Sequence, residues 1–249
     1  MLDTLKILYH QGNQYIPDVS NVVVPGIFRG RPLISLEKIN ETALVDICPM
    51  EAIASQPVSI DLGKCTFCGE CARKFPNKIQ FTTDYKLSTN QRELLIIKEG
   101  VFEQLKIDAG IVRKEIRQFF GGSLKLRQVS AAGDNSCELE LNATGNVNFD
   151  MGRFGIEFVA SPRHADGIVI TGPISENMAE ALQICYDATP DPKIIILVGT
   201  DAISGGIFEG SPALKRDFLS KYQIDLYVPG NPAHPLTFIN GVLGLIGKK

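Results

Sequence analysis

The sequence predicts an α/β fold in which a doubly wound, mostly parallel sheet is preceded by a small α+β domain. Up to about residue 90 the sequence pattern changes over short distances, and turn residues are frequent. From about residue 120 onward, apolar runs alternate with stretches of helical spacing. Several of these runs are apolar on both faces, which is typical of strands in a parallel sheet covered by helices on both sides.

Five segments of the second region are predicted to be strands: LKLRQVS (124–130), GIEFVA (155–160), DGIVITG (166–172), KIIILVG (193–199) and IDLYV (224–228). Between the third and the fourth, SENMAEALQICYDA (175–188) spaces its apolar residues as a helix does. Crossovers between parallel strands are right-handed, and this alternation therefore favours a doubly wound, flavodoxin-like sheet.

We divide the chain where this pattern changes. The small α+β domain is placed at residues 1–95 and the α/β domain at residues 123–249. Residues 96–122, which include VFEQLKIDAGIVRKEIRQFF (101–120), are expected to form a mostly helical connector.

The composition is that of a soluble globular protein, with 44% hydrophobic and 21% charged residues among 249. The net charge of −3 provides no basic stripe, so nucleic acid is not expected as a partner. No run of about 18 apolar residues occurs, so no transmembrane helix is expected. The opening MLDTLKILYHQGNQ lacks the pattern of a secretory signal, and we expect a cytoplasmic location.

Four of the six cysteines form a motif that indicates an iron–sulfur cluster. Cys65, Cys68 and Cys71 are spaced as in C-x-x-C-x-x-C-x-x-x-C-P, but Phe75 stands where the fourth cysteine is usual. In proteins with two such clusters, the cysteine of each C-P pair ligates the other cluster. Cys48, which precedes a proline, therefore completes the site, and we predict one [4Fe-4S] cluster on these four thiolates.

The positions that would ligate the partner cluster support this interpretation. Counting back from Cys48, they hold Lys38, Glu41 and Leu44, none of which is a thiolate. The three non-cysteine residues and the phenylalanine at position 75 stand at the four ligand positions of one cluster, so all four differences remove the same cluster. The alternatives are unligated core thiols or a zinc Cys₄ site, which usually pairs two C-x-x-C knuckles.

The N-terminal region resembles a known family. VVVPGIFRGRPLIS (22–35), followed by CPMEAI (48–53) and the cysteine run, resembles the ferredoxin-type subunit of respiratory complex I and of formate hydrogenlyase-like complexes. Members of that family carry two [4Fe-4S] clusters, and the resemblance implies a ferredoxin-like fold for residues 1–95. Arg29 and Arg31 match the family's R-G-R phrase; alternatively, they are solvated loop arginines.

Residues 133–246 resemble a second family more closely, the small subunit of energy-converting [NiFe] hydrogenases, which is similar to the 20-kDa subunit of complex I. The matching phrases are RFGIEFVASPRHADGIVITGPISENMAEAL (153–182), ATPDPKIIILVG (188–199), SGGIF (204–208) and YVPGNPAHP (227–235). The resemblance implies a domain that holds a cluster beside a catalytic or quinone-reducing partner subunit.

This chain departs from the family at the cluster ligands that the resemblance implies. Asp134 replaces the first cysteine and Cys137 is retained, whereas Asp201 and Asn231 occupy the other two positions. One thiolate cannot hold a cubane, and carboxylate and amide oxygens are poor ligands for it. We therefore predict a degenerate, vacant site whose glycines and prolines still shape the loops.

The loops of this site follow predicted strands, and the carboxyl edge of a parallel sheet is where such folds bind ligands. Asp134 and Asp201 would attract a hard cation such as Mg²⁺ there, or they are two exposed acidic loop residues. Glu138 is a candidate proton relay in a hydrogenase-like setting, or a solvated or helix-capping residue.

Three hypotheses of function follow. In the first, the chain is an electron-transfer subunit that contacts a large hydrogenase-like or complex I-like subunit and other electron-transfer subunits. It would reach the membrane through them alone and would itself catalyse no reaction. In the second, it is a structural or assembly scaffold whose cluster stabilises the fold or senses redox state. In the third, the vacant site binds a metal through its aspartates and supports a new activity.

Overall fold

A computed structural model of the chain describes residues 2–12 and 14–248. The elements of the N-terminal part are α1 (Leu2–Gln11), β1 (Pro32–Ile34), α2 (Glu41–Asp46), β2 (Ile53–Ala54), β3 (Ser59–Asp61), α3 (Glu70–Lys74), β4 (Ile79–Phe81), β5 (Ile96–Lys98) and α4 (Lys114–Phe120). Strands β1 and β4 pair antiparallel, with Leu33 opposite Gln80. A second antiparallel sheet has the order β2-β3-β5 and places Ile60 opposite Ile97.

The predicted helical connector is largely wrong. Within 96–122, β5 pairs with β3, residues 101–113 are irregular, and the helix α4 covers seven residues. The physical reason lies at Asp108, whose backbone N–H and C=O both bond to the side chain of Asn90. The Asp108 carboxylate also accepts from the backbone N–H of Gly110. These bonds occupy backbone groups that a helix would use.

The C-terminal part contains the predicted parallel sheet. Its strands are β6 (Leu124–Ser130), β7 (Ile156–Phe158), β8 (Gly167–Thr171), β9 (Ile194–Val198) and β10 (Leu226–Val228). Their order is β7-β6-β8-β9-β10, with every pairing parallel. This is the flavodoxin-like order, which confirms the predicted fold class and puts the topological switch point between β6 and β8.

Helices cover both faces of this sheet. They are α5 (Ser136–Ala143), α6 (Glu176–Ala188), α7 (Thr200–Ser204), α8 (Asp217–Lys221) and α9 (Pro235–Ile246). Ile168 and Ile170 of β8 share a core with residues of α6 and α8, whereas Val169 between them packs with α4, α5 and α9. The alternation along β8 explains why this strand is apolar throughout.

The small sheets of the N-terminal part pack on the α6–α8 side of the parallel sheet, whereas Val19, Val24 and Tyr85 pack on the α9 side. Buried residues of these small sheets, including Ile60 and Ile97, belong to the same continuous core as Ile168 and Ile195. An antiparallel bridge between Thr89 and Tyr227 joins the two parts through their backbones. In the described part of the chain, no helix is long and apolar enough to span a bilayer.

Candidate functional site

Cys48, Cys65, Cys68 and Cys71 line a single small cavity. The structure therefore brings together the four cysteines that the motif selected from two separate segments. The other lining residues are mostly apolar: Ile47, Pro49, Met50, Ala52, Ile53, Ile60, Thr66, Gly69, Glu70 and Phe81.

Local backbone geometry sets the position of each cysteine. Cys48 lies just beyond the end of α2, and Cys71 lies in the first turn of α3. Cys65 and Cys68 lie on the loop between β3 and α3, where Gly69 has a φ of +78°. Glycine adopts this left-handed conformation without steric cost, which eases the turn into α3.

Two of the sulfur atoms accept backbone hydrogen bonds. The Ala52 N–H donates to Cys48 Sγ, and the Phe67 N–H donates to Cys65 Sγ, both at 3.3 Å. Such bonds stabilise negative charge on a thiolate and tune the potential of a cluster bound to it.

Burial keeps the thiols of Cys65 and Cys71 neutral in the absence of metal. Loss of water around the sulfur raises the pKa of Cys65 to about 12 and that of Cys71 to about 11. Cys68, by contrast, is exposed to solvent. Because metals bind thiolates, loading this site must release protons.

The four cysteines line the cavity from two separate segments of the chain. Across residues 2–12 and 14–248, no three His, Cys, Asp or Glu side chains converge closely enough to hold a single metal ion. Four soft donors around an apolar cavity are the set that a multi-iron cluster takes.

The positions that would provide the ligands of a second ferredoxin-type cluster hold residues other than cysteine. Leu44 is fully buried, and Phe75 packs partly buried against the same apolar core. Lys38 is exposed. The sequence-based interpretation that these positions hold no cluster ligands is consistent with this packing.

The residues predicted for the vacated site lie beyond the carboxyl ends of three strands of the parallel sheet. Cys137 is in the first turn of α5 after β6, Asp201 is in α7 after β9, and Asn231 follows β10. Cys137 is buried against Gly199, where an added Cβ would lie 2.4 Å from the sulfur.

Burial is the main reason that the pKa of Cys137 rises to about 11, and the carboxylates of Glu138, Asp201 and Asp134 raise it further. The backbone N–H of Ala233 acts in the opposite direction. The carboxylates of Glu138, Asp201 and Asp134 are therefore near enough to Cys137 to disfavour its thiolate.

The two aspartates of this site differ in environment. Asp134 is exposed, and hydrogen bonds from the Ser136 hydroxyl and backbone N–H, at 2.6 and 2.9 Å, lower its pKa. Asp201 is half-buried, and its pKa is raised by burial and then by the charge of Asp134. Asp134 is therefore an exposed loop residue, but the expectation of exposure is wrong for Asp201.

Glu138 is neither solvated nor a helix cap. Its side chain is buried, and Oε1 accepts hydrogen bonds from the hydroxyls of Ser130 at 2.5 Å and Thr171 at 2.7 Å. The cap position of α5 is Asn135 instead. These two bonds tie the start of α5 to the neighbouring strands β6 and β8.

Residues 135–245 match the family described as NADH ubiquinone oxidoreductase, 20 Kd subunit. A probable membrane-bound hydrogenase subunit, mbhJ of Pyrococcus furiosus, is 34% identical over 134 residues, which cover 54% of this chain and 80% of that protein. The chain belongs to this 20-kDa subunit family.

Two further relatives and one solved structure are also similar to this chain. An NADH-quinone oxidoreductase subunit of Heliobacterium modesticaldum is 42% identical over 119 residues, 47% of this chain and 68% of that protein. The corresponding subunit of Desulfovibrio desulfuricans is 40% identical over 109 residues, 44% of this chain and 59% of that protein. A chain of the membrane-bound sulfane sulfur reductase, an archaeal respiratory complex, is 29% identical, with a TM-score of 0.44 over 51% of this chain and 70% of that chain.

The match to the 20-kDa subunit family contains three of the four residues of the predicted vacated site, Cys137, Asp201 and Asn231, and begins one residue after Asp134. The four cysteines Cys48, Cys65, Cys68 and Cys71, whose cavity we call the front cavity, lie outside the match. The predicted vacated site, which we call the rear site, therefore lies largely within the family match, whereas the front cavity depends on its motif and geometry alone.

Sequence reasoning missed the residue that connects the two sites. The Thr200 hydroxyl, which is buried, donates to the carbonyl of Cys65 at 3.0 Å and lies 3.3 Å from the carbonyl of Gly230. Its neighbours Gly199 and Asp201 belong to the vacated site. Nothing in the local pattern signals this contact, because the acceptor is a backbone group 135 positions away.

The two arginines of the R-G-R phrase have distinct roles. Arg31 is 5% exposed and donates to the Phe102 carbonyl at 2.9 Å, so it is not a solvated loop residue. Arg29 is exposed, but its Nε donates to the carbonyl of Phe67 inside the cysteine loop.

Proposed function

We propose that this protein is an iron–sulfur electron-transfer subunit of a hydrogenase-like or complex I-like oxidoreductase complex. In this proposal Cys48, Cys65, Cys68 and Cys71 hold one [4Fe-4S] cluster, and the α/β domain contacts a large partner subunit. The observation that carries the proposal is the convergence of four cysteines from two segments on one apolar cavity.

The surroundings of the cavity support this assignment. When bound, a [4Fe-4S] cluster supplies reversible one-electron transfer. The protein contributes four thiolates, two backbone N–H donors to sulfur, and an apolar wall that keeps water from most of the site. Cys68 is the exposed ligand, so the cavity is closest to solvent at that residue.

We infer that residues 1–95 are a ferredoxin-type module joined to the family domain. The R-G-R phrase, the C-P pair and the cysteine run support this inference, as do the short antiparallel sheets that flank the cavity. The division at 96–122 remains a prediction, because the apolar core is continuous across it.

We propose that the rear site holds no cluster. One thiol remains of the four that the family resemblance implies, and its sulfur is buried against Gly199. The half-buried Asp201 and the exposed Asn231 occupy the loops that follow β9 and β10.

The relatives support a place in a multi-subunit complex. Their names describe subunits of a membrane-bound hydrogenase and of NADH-quinone oxidoreductases. We propose that this chain likewise works with partner subunits, from the cytoplasmic side, and that its association with the membrane is peripheral and depends on them.

The second candidate function is a scaffold or assembly subunit with a stabilising or redox-sensing cluster. The observation that favours it is the loss of three rear ligands in a domain that keeps its fold, since an empty rear site interrupts the expected path for electrons.

Purification of the native complex through a tag on this chain separates the two candidates. For an electron-transfer subunit, a large partner co-purifies, and the partner's substrate reduces the cluster of this chain reversibly, as seen by EPR. For a scaffold, the partner co-purifies but its turnover leaves the EPR signal of this chain unchanged. A tagged chain that brings down no large subunit contradicts both.

A further inference from the structure

The backbone of Phe67 makes one hydrogen bond to the front cavity and one to Arg29. Its N–H donates to Cys65 Sγ at 3.3 Å, and its C=O accepts from Arg29 Nε at 2.5 Å. The two peptide units that flank the Phe67 Cα therefore link a cysteine of the site to a guanidinium from a distant segment.

This conformation of the loop is unfavourable without support. Phe67 has a φ of +54°, a left-handed value that residues with a bulky side chain rarely adopt. Its ring is buried and packs near Phe81, with ring centroids 6.1 Å apart. Packing fixes the ring, and the hydrogen bond from Arg29 holds the carbonyl.

The loop also leaves space for the Arg29 side chain. A Cβ added to Gly69 would lie 3.0 Å from Arg29 Cδ and 3.5 Å from its Nε. Gly69 thus serves two purposes, since it provides the left-handed turn into α3 and the surface on which Arg29 lies.

We propose that Arg29 is a positioning residue that fixes the Phe67 N–H against the Cys65 sulfur and thereby raises the reduction potential of the cluster. The inference rests on the proposed function. Reduction adds one negative charge to the cluster, and hydrogen bonds to its sulfurs favour the reduced form. Arg29 acts by holding this donor in place, and its positive charge acts in the same direction.

The test uses the full-length chain purified without oxygen, with the variants Arg29→Lys and Arg29→Gln. Lysine keeps the charge but lacks the planar fork that places Nε against the carbonyl. Arg73→Gln is the control, because Arg73 is an exposed cation close to Cys68 that pairs with Glu70. The readouts are iron content, the midpoint potential from an EPR-monitored titration, and the deuterium sensitivity of the Fe–S stretching bands in resonance Raman spectra.

We expect both Arg29 variants to have a more negative midpoint potential and a smaller deuterium shift than the wild type. Arg73→Gln should retain the wild-type deuterium shift. If the Arg29 variants fold but lose iron while Arg73→Gln retains it, the positioning role is also supported.

Two results would overturn the proposal in different ways. If wild-type protein contains no cluster, the proposed function fails and this inference fails with it. If the wild type contains a cluster and Arg29→Lys matches it in potential and deuterium shift, the proposed function stands but Arg29 does not position the loop.

Discussion

The four cysteines of the front cavity have unequal surroundings. Cys65 and Cys71 are buried, Cys48 is half-buried and Cys68 is exposed. The buried thiols are neutral at physiological pH because burial raises their pKa values to about 12 and about 11. These two sulfurs therefore depend on bound metal to become thiolates.

Replacement of the remote ligand tests the assignment at this scale. Cys48→Ser exchanges a soft donor for a hard one and removes the sulfur that accepts from Ala52. We expect the variant to lose at least half of its iron. Cys185→Ser is the matched control, because Cys185 lies in α6, outside the cavity, and should leave the iron content unchanged. Equal iron in Cys48→Ser and wild type would contradict the assignment.

The rear thiol makes the stability of the protein depend on pH. The pKa of Cys137 rises from 9.0 to about 11 on folding, because burial disfavours the thiolate. The stabilisation that the neutral, buried thiol gives to the folded state is therefore complete below about pH 9. It is lost as the pH rises through about 11. Two pKa units correspond to roughly 2–3 kcal/mol.

Urea unfolding of wild type and Cys137→Ser at pH 8 and pH 11 measures this effect. We expect the free energy of unfolding to fall more in the wild type than in the variant over this range. Parallel decreases in the two proteins would show that Cys137 is not buried as a neutral thiol.

Sequence reasoning identified the residues with diagnostic chemistry and missed those that act on the backbone. The cysteines were predictable because their spacing is set by a cluster's geometry. Thr200 and Arg29 were not, since each donates to a carbonyl that lies near it only in the folded chain.

At the level of elements, the strands of the parallel sheet were predictable because both of their faces are buried, which leaves continuous apolar runs. The irregular structure of the connector was not predictable, because the backbone of Asp108 bonds to the side chain of Asn90, which is 18 positions away in the sequence. The helix α9 was not predicted either. It is apolar around almost its entire circumference, so it lacks the polar face that marks a helix in a sequence.

The short helix α7 carries Asp201, and Arg216 holds its C-terminal end. The Arg216 guanidinium donates to the carbonyls of Ala202 at 2.8 Å and Ile203 at 3.0 Å, and to that of Pro173 at 2.8 Å. These bonds satisfy carbonyls that a helix leaves unpaired at its end.

Arg216→Met should therefore lower the free energy of unfolding by about 2–4 kcal/mol. It should also increase amide hydrogen exchange over residues 200–208. The neighbouring exposed residue provides the control, and Lys215→Met should change neither quantity. Unchanged exchange in Arg216→Met would show that α7 does not depend on this cap.

At the level of the whole molecule, the front module and the parallel sheet are joined by one apolar core. The Thr200–Cys65 hydrogen bond, the Thr89–Tyr227 bridge and the Lys64–Glu209 ion pair add polar contacts across the same boundary. The sequence showed two regions of different pattern, but it contained no sign that their cores are continuous.

This shared core predicts cooperative unfolding. In urea, near-UV circular dichroism of the whole chain and cluster absorbance at about 400 nm should change in one transition with the same midpoint. Fluorescence of the tyrosines, which occur in both parts, provides a third probe. Two separate transitions would show that the parts are independent domains.

Iron and sulfide analysis of the anaerobically purified chain, with EPR of its dithionite-reduced form, tests the central claim most directly. A front site with four sulfur ligands and a rear site with one predict about four irons per chain and a single S = 1/2 signal. About eight irons, a cluster attached at Cys137, or zinc in place of iron would contradict the account.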